Sequence, residues 1–286
     1  MKAFGNTWRK RCPICDEAFK AGLDGTSEPV LQNWRIPFSK IDTITVAGGY
    51  FNMAPMLRAD AVLYGFSVCP KCESVCVNPY DGDSTASYVL ASYPVERITD
   101  PQKMLGHKAQ YASYIRGLLL NTPGGRMLDA GCGIGQYMFL AAEDLDAKPA
   151  EIIGLELSRQ AVKEINSTAV QRNLAPRVLA YECNLCKLHE NTGMLTSLGL
   201  FDTIVLSETF EHLDYPGVAL ETLAGLLKPG GSIFYTAQAP DGGLAIRPTE
   251  PIYMSRVGQD ILIERIGLRL IRTELAAGRW KTILLK

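Results

Sequence analysis

Three groups of residues have types and spacings suited to chemistry. Cys12-Pro-Ile-Cys15 and Cys69-Pro-Lys-Cys72 are two C-P-x-C knuckles, each able to place two thiolates on one tetrahedral ion. Met127-Leu-Asp-Ala-Gly-Cys-Gly-Ile-Gly135 is an apolar run entering a glycine-rich turn, in which Gly131, Gly133 and Gly135 allow close approach of a ligand. Ser207-Glu-Thr-Phe-Glu-His-Leu213 sets Glu208, Glu211 and His212 in an E-x-x-E-H array. An imidazole titrates near neutrality and can take a proton from a hydroxyl. Two carboxylates and an imidazole can also hold magnesium or a transition ion that lowers the pKa of that hydroxyl.

The elements that must position these groups follow from the spacing of apolar residues. Strands are predicted at Arg126–Ala130, Glu151–Glu156, Val178–Cys183, Phe201–Leu206 and Ser232–Ala237. Helices are predicted at Gly135–Leu145, Ser158–Arg172, Tyr215–Leu227 and Arg256–Ile266, with one more before the glycine turn over Met104–Leu120. Such alternation argues for a parallel sheet covered on both faces. The last two strand-like runs, Leu268–Leu275 and Lys281–Lys286, are too close in sequence to pair other than antiparallel. The expected fold class is therefore α/β, a doubly wound, mostly parallel sheet over residues 101–286. Residues 1–100 show short β-like runs, Ile41–Val46 and Ala61–Val68, broken by Gly, Pro, Asn and Asp. They read as a small, zinc-ribbon-like domain around one structural zinc held by Cys12, Cys15, Cys69 and Cys72. Four thiolates leave no open position, so that ion stabilises rather than catalyses.

Composition narrows the classes further. A chain of 286 residues with 47% apolar and 21% charged residues can bury a sizeable core and is long enough for two domains. The formal net charge is −1 and the first hundred residues are balanced too, so no electrostatic footprint for nucleic acid is seen. No uncharged apolar stretch reaches membrane-spanning length, and Met1–Arg11 is basic without a following apolar run. A cytoplasmic protein with a small-molecule partner and no membrane association is expected, its eight cysteines reduced.

The glycine turn also discriminates between cofactors. A dinucleotide fingerprint wants glycine at its first, third and sixth positions, and the sixth here is Gln136. Asp129, two residues before the first glycine, would repel a pyrophosphate but can accept hydrogen bonds from the ammonium of an amino-acid cofactor. Glu156 ends the second strand, where an acid can take both ribose hydroxyls. Asn184 follows the third, within reach of an adenine amino group. Together these positions suit S-adenosylmethionine.

From Leu128 to Lys286 the chain resembles class I S-adenosylmethionine methyltransferases, with their Rossmann-like fold, through LDAGCGIG, GLELS, FDTIVLSETFEHL and LLKPGGSIFYTA. The resemblance implies cofactor contacts from Gly131, Gly133, Gly135 and Glu156, with Leu157 on the adenine ring and Ser207 beside the cofactor. Relatives often carry Asp where this chain has Asn184. In similar enzymes the helix before the first strand folds over the methionine end, which would bring in Tyr111, with His107 and Tyr114 on the same face. The E-x-x-E-H array looks like the metal-binding segment of ubiquinone-biosynthesis O-methyltransferases and small-RNA 2′-O-methyltransferases. That implies a divalent ion, magnesium or another, at Glu208, Glu211 and His212. Many metal-free relatives share the Glu-His pair, which leaves His212 as a general base. Paired knuckles ahead of such a domain resemble deoxysugar C-methyltransferases and some antibiotic-pathway and rRNA methyltransferases.

The expected activity is O-methylation of a hydroxyl on a small molecule, a sugar or secondary metabolite. The alternatives are an RNA methyltransferase that grips substrate with its zinc domain, a sugar C-methyltransferase, and a non-catalytic protein that keeps the glycine loop as a scaffold. The loop from Gln238 to Ser255, which carries Arg247, is expected to wall the acceptor site.

Overall fold

The structure is a computed structural model that describes residues 11–18, 36–37, 43–46, 49–52, 63–64, 66–77, 101–144, 148–240 and 252–286. The expectations for Arg247, and for the side chains of His107 and His189, lie outside the described residues.

In the first hundred residues, β1 (Ile36–Pro37) pairs antiparallel with β4 (Leu63–Tyr64), and β2 (Thr43–Val46) with β3 (Gly49–Asn52). Strand β5 (Phe66–Val68) pairs antiparallel with β6 (Val75–Val77). Helix α1 (Pro101–Asn121) leads into β7 (Arg126–Ala130), α2 (Gln136–Phe139) and a π-turn over Leu140–Asp144. The alternation continues through β8 (Glu151–Glu156), α3 (Arg159–Gln171) and β9 (Val178–Glu182). A 3₁₀ stretch at Leu185–Asn191 then meets α4 (Thr192–Leu198), followed by β10 (Phe201–Leu206), α5 (Pro216–Gly225) and β11 (Leu227–Gln238). The chain closes with β12 (Ile252–Tyr253), α6 (Arg256–Ile266), β13 (Arg269–Ala276) and β14 (Arg279–Leu285).

Strands β7 to β11, β13 and β14 form one seven-stranded sheet in the order β13-β14-β11-β10-β7-β8-β9. Pairings from β9 through β11 are parallel, and β14 runs antiparallel to both its neighbours, as expected of the terminal hairpin. The hairpin turns at Ala277 and Gly278, both with positive φ, the backbone that matches the twist of the flanking strands. Strand order reverses between β7 and β10, and the crevice outside the carboxyl ends of those strands is where ligands bind in open α/β sheets.

Two apolar layers hold the sheet. Met127, Val205 and Phe234 point to one face, against Tyr111, Ile115 and Leu118 of α1, Phe139 of α2 and Ile165 of α3. Their chain neighbours Leu128, Ile204 and Ile233 point to the other, against Leu195, Leu220 and Leu262 of α4, α5 and α6. Alternation at period two places successive side chains on opposite faces of a strand. The four knuckle cysteines pack into this second layer, not apart from it.

Local chemistry sets the helix ends. Ser158 caps α3 by accepting from Ala161 N, and Pro216 supplies the N-terminal proline of α5. Strand β11 starts earlier than its apolar run implies: Leu227 pairs with Phe201, and the register shifts across the intervening Lys-Pro-Gly-Gly before Ser232 pairs with Thr203. Helix α4 carries no apolar period long enough to announce it, since it spans 7 residues and contains Gly193.

Candidate active site

The glycine turn adopts a backbone that glycine takes without strain. Gly131, Gly133 and Gly135 take φ of 77°, 58° and 76°, in the left-handed region that L side chains avoid. A Cβ on Gly131 would lie 2.4 Å from the Thr209 side chain, so this turn and the segment after β10 touch through the missing side chain. Glu156 closes the turn from the neighbouring strand. Its Oε2 accepts from Gly133 N at 2.9 Å and its Oε1 from Ser158 N at 2.9 Å.

Asp129 is wholly buried and its Oδ2 has no hydrogen-bond partner. Burial, with the nearby Glu156 carboxylate, pushes its pKa up to about 7. A buried carboxylate oxygen without a donor costs free energy unless an external donor meets it, and an ammonium group would supply one. The residues present therefore fit the amino-acid end of S-adenosylmethionine. Leu157 is half-buried beside Glu156, and Asn184 is half-buried at the end of β9, its Oδ1 accepting from Cys186 N at 2.9 Å. Ser207 is buried at the end of β10.

Beyond Ser207 the backbone bends sharply. Glu208 has φ of 53°, a left-handed conformation rare outside glycine, and its N–H donates to Thr236 Oγ1 at 2.7 Å. A short 3₁₀ turn, Phe210–His212, follows. The two acids of the array then part company in environment. Glu208 is 41% exposed, whereas Glu211 is 0% exposed and burial pushes its carboxyl pKa up, against the opposing pull of His212 and Arg279. His212 is half-buried.

Two groups from distant chain reach this pair. Tyr111 of α1, fully buried, donates its hydroxyl to Glu208 Oε1 at 2.8 Å, and burial together with that carboxylate pushes the phenol's pKa up. Arg279, at the start of β14, pairs with Glu208 Oε1 through Nη1 and stands 3.4 Å from Glu211 Oε1 through Nη2. Sequence spacing did not mark Arg279 as a site residue. Its only signal was its place just after a Gly-containing hairpin turn.

The expected divalent ion meets a different arrangement. Among the described residues, only Cys12, Cys15, Cys69 and Cys72 bring three or more metal-ligating atoms within 4.8 Å of one another. Glu208, Glu211 and His212 do not converge in that way, because the left-handed turn at Glu208 sends its side chain toward Arg279 and Tyr111. These three residues do not fit magnesium as one ligand set.

The cysteines do form such a set. Cys12 Sγ and Cys72 Sγ are 3.5 Å apart, as are Cys15 Sγ and Cys69 Sγ. A tetrahedral zinc with thiolate bonds of about 2.3 Å would separate its sulfurs by about 3.8 Å, so the donor set fits zinc. The knuckles match each other in detail. In each, the residue after the second cysteine, Asp16 or Glu73, takes φ near 60° and donates its N–H to the carbonyl of the first cysteine at 2.9 Å.

The knuckles are fastened to α5, α6 and β12. Pro13 O accepts from Gly217 N at 3.3 Å at the start of α5, and Ile14 O accepts from Arg265 Nη1 of α6 at 3.0 Å. Strand β12, in the stretch expected to wall the acceptor site, pairs antiparallel with β6. Ser255 N donates to Ser74 Oγ at 3.1 Å, and Ser255 Oγ donates to the carbonyl of Cys72. One residue earlier, Met254 O accepts from Trp280 Nε1 at 2.8 Å, beside Arg279 in sequence.

A sheet of this order, with its glycine turn and paired acids at the switch point, defines the class of S-adenosylmethionine-dependent methyltransferases. A family model described as a methyltransferase domain matches residues 105–274, and the chain belongs to that family. The ubiquinone biosynthesis O-methyltransferase of Nitrosococcus oceani is 30% identical over 113 residues, 40% of this chain and 43% of that protein. The phosphoethanolamine N-methyltransferase of Triticum aestivum is 28% identical over 146 residues, 50% of this chain and 26% of that protein. The chain thus spans less than half the length of these curated relatives. Among solved structures, an O-methyltransferase family protein from Burkholderia thailandensis superposes with a TM-score of 0.51 at 14% identity, covering 70% of this chain and 66% of that one. A SAM-dependent methyltransferase from Aquifex aeolicus gives 0.50 at 19%, covering 67% and 96%. These structural likenesses concern the fold. Among the described residues, no helix is long and apolar enough to cross a membrane.

Proposed function

We propose that this methyltransferase transfers the methyl group to a hydroxyl oxygen of a small molecule, a sugar or secondary metabolite, with His212 as the general base. The observation that carries the reading is the Glu211–His212 pair at the carboxyl end of β10, with Glu211 buried and its charge facing His212 and Arg279. The likeness to a ubiquinone biosynthesis O-methyltransferase over 113 residues agrees with it.

In this reading Asp129 takes the cofactor's ammonium, Gly131, Gly133 and Gly135 allow its close approach, and Glu156 takes the ribose hydroxyls. Leu157 and Asn184 flank the adenine, while Ser207 and Tyr111 border the methionine end. When bound, S-adenosylmethionine supplies an electrophilic methyl on a sulfonium. The acceptor oxygen forms a bond to that carbon as the carbon–sulfur bond breaks, its electron pair staying on sulfur, and the hydroxyl proton passes to the His212 imidazole. Alignment of the acceptor oxygen with the methyl supplies much of the rate of such a displacement.

Residues 101–286 form the methyltransferase domain, and residues 1–100 a zinc-binding domain whose ion is held by Cys12, Cys15, Cys69 and Cys72. The fastening of Ser74 and Cys72 to Ser255 gives that ion a structural part at the acceptor wall.

The test is transfer of label from methyl-labelled S-adenosylmethionine into a cell extract, separated into RNA, protein and small-molecule fractions. Label in a small molecule at an ether oxygen supports the reading. Label in RNA, or on carbon or nitrogen, overturns it.

A further inference from the structure

The acid pair after β10 already contains a cation. Arg279 hydrogen-bonds Glu208 Oε1 and stands 3.4 Å from Glu211 Oε1, so one guanidinium lies within ion-pair distance of both carboxylates of the E-x-x-E-H array, while the buried Glu211 oxygens accept no hydrogen bond. Tyr111 satisfies Glu208 from a third direction. The backbone of Glu208 is held in its left-handed turn by Thr236, and its carboxylate meets Arg279. Backbone strain of this kind persists only where the surroundings over-determine it, and it clusters at working sites.

We propose that Arg279 is a positioning residue that acts as a tethered cation between Glu208 and Glu211, in the place a divalent ion would take, so that this site works without a metal. The inference concerns the same site as the proposed O-methylation and rests on reading it as the acceptor end. Its test does not depend on the acceptor.

Three physical points support it. Burial pushes the Glu211 carboxyl pKa up, and the Arg279 guanidinium, with Nη2 3.4 Å from Oε1, is a fixed positive neighbour that opposes that shift. A guanidinium stays charged at every working pH and its planar fork suits two acceptors at once. A divalent ion entering beside it would meet a like charge a few ångströms away in a partly buried site, where repulsion is weakly screened. Arginine also differs from a bound ion in function: it orders the two acids but offers no open coordination position to an acceptor oxygen. Proton removal is then left to His212.

Mn²⁺ binding followed by electron paramagnetic resonance tests this directly, with the zinc-loaded full chain. Wild-type protein and Arg279→Lys are expected to show no Mn²⁺ site that depends on Glu211. Arg279→Met and Arg279→Gln are expected to gain one, at least about tenfold tighter than any wild-type binding, and to lose it again when Glu211→Gln is added. S-adenosylhomocysteine binding by each variant shows that it is folded. A wild-type Mn²⁺ site that Glu211→Gln removes overturns the proposal whatever the variants do. It is equally overturned if the neutral variants bind S-adenosylhomocysteine as wild type does yet gain no Mn²⁺ site. Failure of O-methylation in the extract, with the Mn²⁺ result as expected, would discard the acceptor and keep the arginine.

Discussion

The cofactor side and the acceptor side of the sheet edge are assembled by different means. On the cofactor side, Asp129, the three glycines and Glu156 come from two adjacent strands and the turns that follow them. Their contacts are mostly between backbone and side chain. On the acceptor side, Tyr111 meets Glu208 across 97 residues, Arg279 meets Glu208 across 71, and Ser255 meets Cys72 across 183. The first arrangement is local and survives wherever the β7–β8 unit folds. The second exists only when α1, the terminal hairpin and the cysteine knuckles have all docked. The cofactor side should therefore tolerate damage on the acceptor side, while the reverse damage should show in binding.

The largest expected effect isolates the acceptor side. His212→Ala should lower label transfer by about 10²- to 10⁴-fold, the usual contribution of a general base, with S-adenosylhomocysteine affinity within a factor of two or so of wild type. Transfer at an unchanged rate would remove His212 from the mechanism.

Glu156→Ala cuts the other way. Calorimetry should show S-adenosylhomocysteine binding weakened by about 10- to 100-fold, the value of a charge-assisted hydrogen bond. The knuckle cysteines should keep their metal content. Equal loss of cofactor and metal would mean that the two sides are not independent.

A pH dependence sharpens the cofactor side further. With its pKa raised to about 7, Asp129 is largely protonated in the ligand-free protein at pH 6, and pairing with an ammonium favours the carboxylate. Affinity for S-adenosylhomocysteine should rise with pH up to about 7, by at most about tenfold per unit, and then level off. Asp129→Asn should flatten the profile. The same group sets a sign for stability. Its folded pKa lies above the unfolded value, so ligand-free protein holds an extra proton between about pH 4 and 7. It loses stability as pH rises through that window.

The smallest expected effect falls on the link between the knuckles and the acceptor wall. Ser255 Oγ caps α6 by accepting from Gly258 N at 2.8 Å while it donates to the Cys72 carbonyl. Ser255→Ala should cost about 1 kcal/mol of stability in a urea melt, and hydrogen exchange should quicken in residues 252–266 but not in 126–156. Unchanged exchange in 252–266 would show that the knuckles rest on the catalytic sheet without organising it.

Much of the fold was legible because its elements are marked by local signals. Strands β7, β8 and β10 carry short runs rich in apolar residues and appear at the residues their patterns indicate, and α6 spans Arg256–Ile266 as its pattern indicates. The knuckles were equally legible, since two thiols three residues apart suit one ion and two such pairs suit one tetrahedron. Strand β12 was not, because two residues make no period, and its pairing with β6 depends on a partner far away in sequence. Helix α4 escaped for the same lack of a repeating apolar stripe.

The sequence by itself determined the doubly wound sheet, its glycine turn, the carboxylates at Asp129 and Glu156, and the four-cysteine set. The sheet, the turn and each C-P-x-C knuckle depend on separations of two to four residues, whereas joining the two knuckles across 54 and 60 residues took packing. Only the tertiary structure decided that Arg279 lies within ion-pair distance of both acids of the E-x-x-E-H array, and that the cysteine knuckles are fastened to β12 and the start of α6. Both outcomes depend on which chain segments docking brings together and on the left-handed turn at Glu208. A linear pattern holds no record of either, because contact between segments 71 or 183 residues apart is set by packing, not by spacing.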